Sequence, residues 1–275
     1  MIQDIAPKVF HNEFSLRRKA KPSDYVFVFD GNNILIRGDG LNSPLSLPKA
    51  SLFESETLLY LFSIDENAYY LYMGQRECLL DGYEYLTKRV LRSDNPRQVC
   101  FAAFTAYQLY QWYTNNRFCG HCANRTVHSE SERALTCPHC GNIIYPKIAP
   151  AVIVGVTDGD KVVVTRYKGR SYKGIALIAG FCEIGETPEM TAVREVKEEV
   201  GLCIKELKYV GSQPWGIDSN LLIGFIAKLD GDSTIVRDQN ELSEALWVRR
   251  SELETPDSDI SLTRTMIIKL KNGEY

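Results

Sequence analysis

Hydrophobic positions change period several times along the chain, and each change predicts an element. Tyr25 to Phe29 is a β-like run, Asp30-Gly31-Asn32-Asn33 has turn chemistry, and Ile34 to Ile36 returns, so the segment reads as a hairpin. Leu58 to Phe62 and Tyr69 to Met73 read as further strands, and Ser43-Pro44 and Leu47-Pro48 as irregular loop. From Pro96 to Tyr113 the spacing becomes three and four, through Val99, Ala103, Ala106, Leu109 and Tyr110, which predicts a helix. Beyond residue 150 short apolar runs follow one another: Ala151 to Val156, Val162 to Val164, Ile175 to Ile178, Ile204 to Val210, Leu221 to Leu229 and Leu246 to Val248. Asp158-Gly159 turns the first run back into the second. A helix is expected over 188–200 and another over Ser261 to Lys271, so strands flank helices and a mixed sheet between helices is predicted.

The helix after the Ile175 run departs from ordinary amphipathicity. Thr187 reads as its N-cap, Pro188 sits in the first turn where a missing N–H costs nothing, and Gly201 ends it. At about 100° per residue, Val193, Val196 and Val200 share one face and Glu195, Glu198 and Glu199 the other. Glu186 approaches from the preceding loop. Carboxylates massed at close range raise one another's pKa unless a cation neutralises them. Oxygen ligands without histidine or thiolate suit Mg2+ or Mn2+, which take substrate phosphate oxygens as further ligands. An isolated E-x-x-E-E is usually a solvated acidic face. Here, however, the stretch reads G-x5-E-x7-R-E-V-x-E-E-x-G-L from Gly180 to Leu202, too many fixed positions for chance. At roughly one in fifteen per position, the seven matches other than the aliphatic Val and Leu alone arise on the order of once in 10^8 registers.

A second cluster is built of sulfur. Cys119-Gly120-His121-Cys122 and Cys137-Pro138-His139-Cys140 give C-x2-C, fourteen residues, C-x2-C. Four thiolates so spaced suit a closed tetrahedral Zn2+ site of structural type, with no position open for catalysis. A ligand swap to His121 or His139 and a redox dithiol pair are the weaker readings. Arg117, Arg125, Arg133 and Lys147 stand against Glu130 and Glu132 here, too small a surplus to argue for nucleic acid.

Composition narrows the setting. The 275 residues are 44% hydrophobic and 24% charged, enough for a full core and more than one domain. A net charge of -3 argues against a dedicated nucleic-acid surface. No apolar run reaches membrane length, and MIQDIAPKVFHNEF lacks a signal-peptide core. Four scattered cysteines, Cys78, Cys100, Cys182 and Cys203, fit small buried residues in a reducing cytoplasm. The expected division is a β-rich N-terminal α+β domain with connecting helix over 1–114, a zinc ribbon over 115–147 and a catalytic domain over 148–275. Helix and ribbon read as a connector between the larger bodies.

The Gly180–Leu202 stretch resembles the Nudix box without departures. With a zinc ribbon before it and Ser212-Gln213-Pro214-Trp215 ten residues after it, the chain is similar to the NADH pyrophosphatase branch of that family over about 115–275. The resemblance implies a Nudix-type α/β/α sandwich with a mixed sheet, a homodimer, and dependence on Mg2+ or Mn2+. It also implies cleavage of NAD(H) to nicotinamide mononucleotide and AMP, with removal of the NAD cap from RNA 5′ ends in many members. Two segments depart: Gly216-Ile217-Asp218 stands where the branch has Pro-Phe-Pro, and Ser261-Leu262-Thr263 where it has Ser-Ile-Ala. Both border the dinucleotide pocket in the family, so another nucleoside diphosphate derivative, such as ADP-ribose or a dinucleoside polyphosphate, stays open as substrate. A catalytically silent sensor is the reading from a different class.

Residue roles follow the resemblance. Glu195, Glu198 and Glu199 are expected to hold the catalytic dication, with Glu186 as an outer ligand or support. Glu198 or Glu241 is the candidate general base. Arg194 is expected to orient a box glutamate, Phe181 and Trp215 to stack on substrate rings, and Gly180 to allow close approach of the backbone.

Overall fold

The computed structural model describes residues 1–38, 46–74, 78–92, 95–169, 174–254 and 260–274, excepting the side chains of Arg89 and Arg92. The Ser43-Pro44 loop expectation lies outside the described residues. The chain divides into two compact units: Gln3–Lys147 with Gly216–Asp218, and Met1–Ile2 with Ile148–Trp215 and Ser219–Tyr275. The long helix and the ribbon thus cluster with the N-terminal residues instead of standing apart as a connector.

The first unit begins with β1 (Phe10–His11), β2 (Tyr25–Phe27), β3 (Phe29–Asp30) and β4 (Asn33–Ile36). It continues with β5 (Leu58–Ile64), β6 (Asn67–Tyr72) and β7 (Glu84–Thr87). The expected Tyr25–Phe29 strand is split at Val28. Its first half runs parallel to β6 in a sheet ordered β1-β5-β6-β2, while β3 turns back on β4 in a second sheet with β7. The predicted turn is real: Asp30 pairs Asn33 across Gly31-Asn32, with Gly31 at φ +53°. Helix α1 (Arg97–Asn115) buries Ala103, Ala106 and Leu109 as its spacing predicts, but the covered face also takes in Cys100, Phe104, Tyr107 and Trp112, and Val99 and Tyr110 are only half-buried. The ribbon follows as β8 (Val127–His128), β9 (Leu135–Thr136) and β10 (Ile143–Ile144), ordered β10-β9-β8. Arg133 fastens it to the N-terminal strands by donating to Asn12 and to the Leu61 carbonyl.

The second unit is a mixed sheet between two helices. Its strands are β11 (Ala149–Asp158), β12 (Lys161–Tyr167), β13 (Ile178–Phe181), β14 (Ile204–Trp215), β15 (Asn220–Leu229) and β16 (Leu242–Arg249). The order is β14-β15-β11-β12-β16, with β13 also paired to β11. Only β11 and β15 run parallel, and every other pair is antiparallel. Alternation along β11 sends Val152, Val154 and Val156 to one face, against Ala192, Val196 and Val200 of α2 (Pro188–Val200). Ile153 faces the other way, into the layer of Met266, Ile267 and Leu270 of α3 (Leu262–Asn272). The result is an α/β/α sandwich. Among the described residues no helix is long and apolar enough to cross a membrane. Cys78 and Cys100 are buried as expected, but Cys182 is half-buried and Cys203 exposed.

Candidate active site and zinc centre

Strand β13 carries the box glycine into the sheet. It lies three residues later than its apolar run predicts, because its register is set by β11: Phe181 pairs Ala151, Gly180 pairs Val152 and Ile178 pairs Val154. Ala176 makes only an isolated bridge to Thr165. Gly180 therefore shares the α2 face with Val152, whereas Phe181 takes the opposite parity. The Phe181 row continues through Ala151 and Leu222 to Gln213, and Trp215 lies two residues beyond it at the same end of the sheet. The carboxylate helix and the two candidate stacking rings thus belong to opposite faces by register and share the strand end.

The loop from Cys182 to Thr187 turns at Gly185, which takes φ +95°. Thr187 caps α2 by accepting from the Met190 N–H at 3.2 Å, Pro188 enters the first turn, and Gly201 closes the helix at φ +74°. These local signals behave as the sequence predicts. The buried face does not. It runs through Ala192, Val196, Glu199 and Val200, and Val193 is 48% exposed. A helical wheel gives relative angles but not where the stripe is centred. Here the stripe is rotated toward Ala192, which carries Val193 out and Glu199 in.

Glu199 is consequently 2% exposed, with its carboxylate on the packed side of the helix. Glu195 is partly enclosed, its side chain 12% exposed, and its carboxylate lies against Gly180. Burial pushes the Glu195 carboxyl up. The Arg194 guanidinium opposes this, and the neighbouring Glu198 and Glu241 charges add to it. Glu241, on the exposed turn before β16, is therefore within electrostatic reach of the helix.

Arg194 organises the remaining oxygens. Its Nε and Nη2 donate to both oxygens of Glu186 at 2.7 and 2.8 Å, in the planar two-point contact that guanidinium favours. Its Nη1 reaches Glu195 at 2.7 Å and Glu198 at 2.9 Å, and Nη2 also donates to the Phe181 carbonyl at 3.0 Å. The hydrogen bond from Arg194 holds the Glu186 carboxyl down to about 2, helped by the Glu183 N–H and the Thr191 hydroxyl. Glu186 is thus a support for Arg194 in this arrangement.

The donor set fits a hard dication. Glu195, Glu198 and Glu199 offer only carboxylate oxygens, and two of the three are largely withdrawn from water, where negative charge is costly unless compensated. Among the described residues, however, only the four cysteines bring three or more ligand atoms within 4.8 Å of one another.

Two contributors carry little sequence signal. Thr191, fully buried, donates to Glu186 at 2.8 Å. Its one trace is a hydroxyl one turn beyond the cap. Gln213, fully buried in β14, accepts from the Leu262 N–H at 2.7 Å and donates to the Ile260 carbonyl at 2.8 Å. It fixes the start of α3, where Ser261 caps by accepting from the Arg264 N–H. A polar residue amid strand apolars, inside the Ser212–Trp215 motif, is the hint of it, but nothing in the sequence points to its partners at the start of α3.

The sulfur centre is assembled by two matching knuckles. In each, the residue after the second cysteine is left-handed (Ala123 at φ +60°, Gly141 at φ +74°) and donates back to the first cysteine's carbonyl. Sγ atoms of Cys119, Cys122, Cys137 and Cys140 approach at 3.7, 3.5 and 3.4 Å. Zn–S bonds of about 2.3 Å in a tetrahedron give S···S edges of about 3.8 Å. Donors point at the sulfurs: the His121 N–H and Asn142 amide at Cys119, and the Asn124 amide at Cys122. Such bonds favour thiolate, the form that binds metal. This is a structural zinc site.

Comparison with known proteins matches the two segments that carry these centres. Residues 147–267 match the NUDIX domain model and residues 114–145 the NADH pyrophosphatase zinc ribbon domain model, so the chain carries a NUDIX domain preceded by that ribbon. Among curated proteins it is similar to the NAD-capped RNA hydrolase NudC of Pectobacterium carotovorum, 42% identical over 149 residues, covering 53% of this chain and 56% of that protein. The protein of that name from Pseudomonas aeruginosa is 38% identical over 172 residues, covering 62% and 60%. The one from Salmonella typhi is 40% identical over 172 residues, covering 61% and 66%. The chain thus spans between a half and two thirds of the length of these relatives. A NUDIX hydrolase structure from Nitrosomonas europaea superposes at a TM-score of 0.46 with 20% identity, over 57% of this chain and 91% of that one.

Proposed function

We propose that the chain is a dication-dependent pyrophosphohydrolase that cleaves NAD(H) to nicotinamide mononucleotide and AMP and removes the NAD cap from RNA 5′ ends. The observation that carries this reading is the enclosed carboxylate helix, with Glu195 seated on Gly180 and Arg194 fixing Glu186, in a chain that also carries the NADH pyrophosphatase ribbon. Curated relatives named NAD-capped RNA hydrolase support the substrate class.

Glu195, Glu198 and Glu199 would hold Mg2+ or Mn2+, which when bound neutralises phosphate oxygens and lowers the pKa of a coordinated water. The rest is the work of protein groups. Arg194 keeps Glu195 and Glu198 in fixed rotamers and, through Glu186, locks the loop to the helix. Gly180 leaves room for the Glu195 carboxylate. Glu198, the most exposed of the three, and Glu241, on its turn, are the two groups able to take a proton from water attacking one phosphorus of the P–O–P bridge. Phe181, 55% exposed at the end of β13, and Trp215, at the end of β14, would receive the ring systems. The same reading divides the chain at 114 and 147, assigns it to the cytoplasm and makes it a homodimer.

A second reading, hydrolysis of ADP-ribose or a dinucleoside polyphosphate, is favoured by Gly216-Ile217-Asp218, which departs from the branch beside Trp215. Turnover of NADH, NAD and ADP-ribose measured side by side separates the two. Preference for ADP-ribose would overturn the first.

A further inference from the structure

The first unit contains two cavities, of about 670 and 680 Å3, that share Met73 and His128 in their walls. One opens between the Phe14–Ala20 segment and β5–β6, and the other between α1 and the ribbon. Their linings hold five cationic side chains and a single carboxylate, Glu56, on a chain whose net charge is -3. Arg18 is committed to Asp24 by two hydrogen bonds of 2.6 and 2.8 Å. Arg17, Lys19, Arg117 and Arg125 have no carboxylate partner among the described residues, and Arg17 lies over the Phe14 ring at 4.8 Å. In sequence these charges are a hundred residues apart, so their surplus shows only when the ribbon is folded against the N-terminal strands. Between the cavities stands His128, an exposed residue whose ring stacks on Tyr113 at 5.1 Å and 21°.

We propose that the two cavities form one trough that binds a nucleotide, its base against His128 and its phosphate against one of the two cationic pairs that flank that ring, Arg17 with Lys19 or Arg117 with Arg125. Unpaired cations focus an anion, and an arginine beside an aromatic ring suits phosphate and base together. Each volume lies within the range of small-molecule sites. The aromatic wall distinguishes a nucleotide from a bare anion, because rings supply stacking that inorganic phosphate cannot use. The nucleotide is either free or part of a single strand. The inference rests on no step of the proposed hydrolysis.

The test uses the whole zinc-loaded chain without added Mg2+ or Mn2+. AMP, a 5′-phosphorylated eight-nucleotide single-stranded RNA and inorganic phosphate are titrated calorimetrically into wild type and Arg17→Ser/Arg125→Ser. Both arginines are exposed, so zinc content and melting temperature should stay at wild-type values. Should that pair unfold, Lys19→Ser/Arg117→Ser takes its place, and Arg125→Lys should retain binding. The expected result is nucleotide binding weakened by about tenfold or more in the variant, with phosphate far weaker than AMP for wild type and NADH hydrolysis unchanged. Loss of AMP alone assigns the trough to free nucleotides, and loss of RNA with AMP assigns it to strands. Equal binding of AMP and RNA by variant and wild type would overturn the proposal, as would phosphate binding as tightly as AMP.

Discussion

The Glu195 carboxylate occupies the space in which Gly180 would carry a side chain: a Cβ there would lie 2.0 Å from it. Glycine is needed at this point for space, since its backbone angle is not among the left-handed ones. Gly180→Ala should therefore leave the sheet paired while pushing Glu195 off its position. We expect kcat for NADH to fall by about a hundredfold, as displacements of about 1 Å do. Circular dichroism should be unchanged. Wild-type turnover in this variant would show that the close approach is irrelevant to the chemistry.

Glu199→Gln keeps the shape and removes the charge of the buried box carboxylate. Turnover should drop by roughly a thousandfold or more, with weaker Mn2+ binding by calorimetry and an intact fold. A variant that binds Mn2+ and turns over like wild type would refute the assignment of this residue to the dication.

Thr191→Val deletes the hydroxyl that donates to Glu186 without changing side-chain volume much. A lost bond to a charged group costs about 1.5–3 kcal/mol, read as a lower midpoint in urea. A midpoint equal to that of wild type would mean that Arg194 and the Glu183 N–H hold Glu186 without the hydroxyl.

Cys119→Ser should release zinc and unfold the ribbon, because a small domain without its metal cannot bury enough apolar surface. Zinc per chain, by elemental analysis, should fall from one toward zero. A full equivalent retained in the variant would contradict the four-sulfur centre.

The Asp24–Arg18 pair gives the first unit a pH dependence. Burial works against ionised Asp24, but hydrogen bonds from Arg18 and the Lys21 N–H outweigh it and hold its pKa below the ordinary carboxylate value. A depressed pKa contributes stability above the unfolded value, near pH 4, and that contribution is lost as pH falls through the folded one. Wild type should lose stability below about pH 4. Asp24→Asn should be less stable at pH 7, with a shallower acid limb. Parallel curves for the two proteins would remove the pair from the account.

What could be read in the sequence was local or tightly spaced. Thr187, Pro188 and Gly201 mark the ends of α2 because caps act on their own turn, and the two knuckles announce the sulfur centre by spacing alone. What could not be read depends on partners distant in the chain. The split at Val28 arises because β2 is claimed by β6 and β3 by β4. The length of β14, which runs to Trp215, follows from its ladder with β15. Val193 and Glu199 exchanged their expected environments because the sheet, not the helix, decides which stripe is covered.

The most direct test is product analysis of NADH incubated with the purified chain and Mg2+ or Mn2+, beside a sample lacking either ion. The account predicts nicotinamide mononucleotide and AMP in equal amounts, formed only with the dication present and absent with Glu199→Gln. Intact NADH under all conditions, or equal cleavage without the ion, would contradict it.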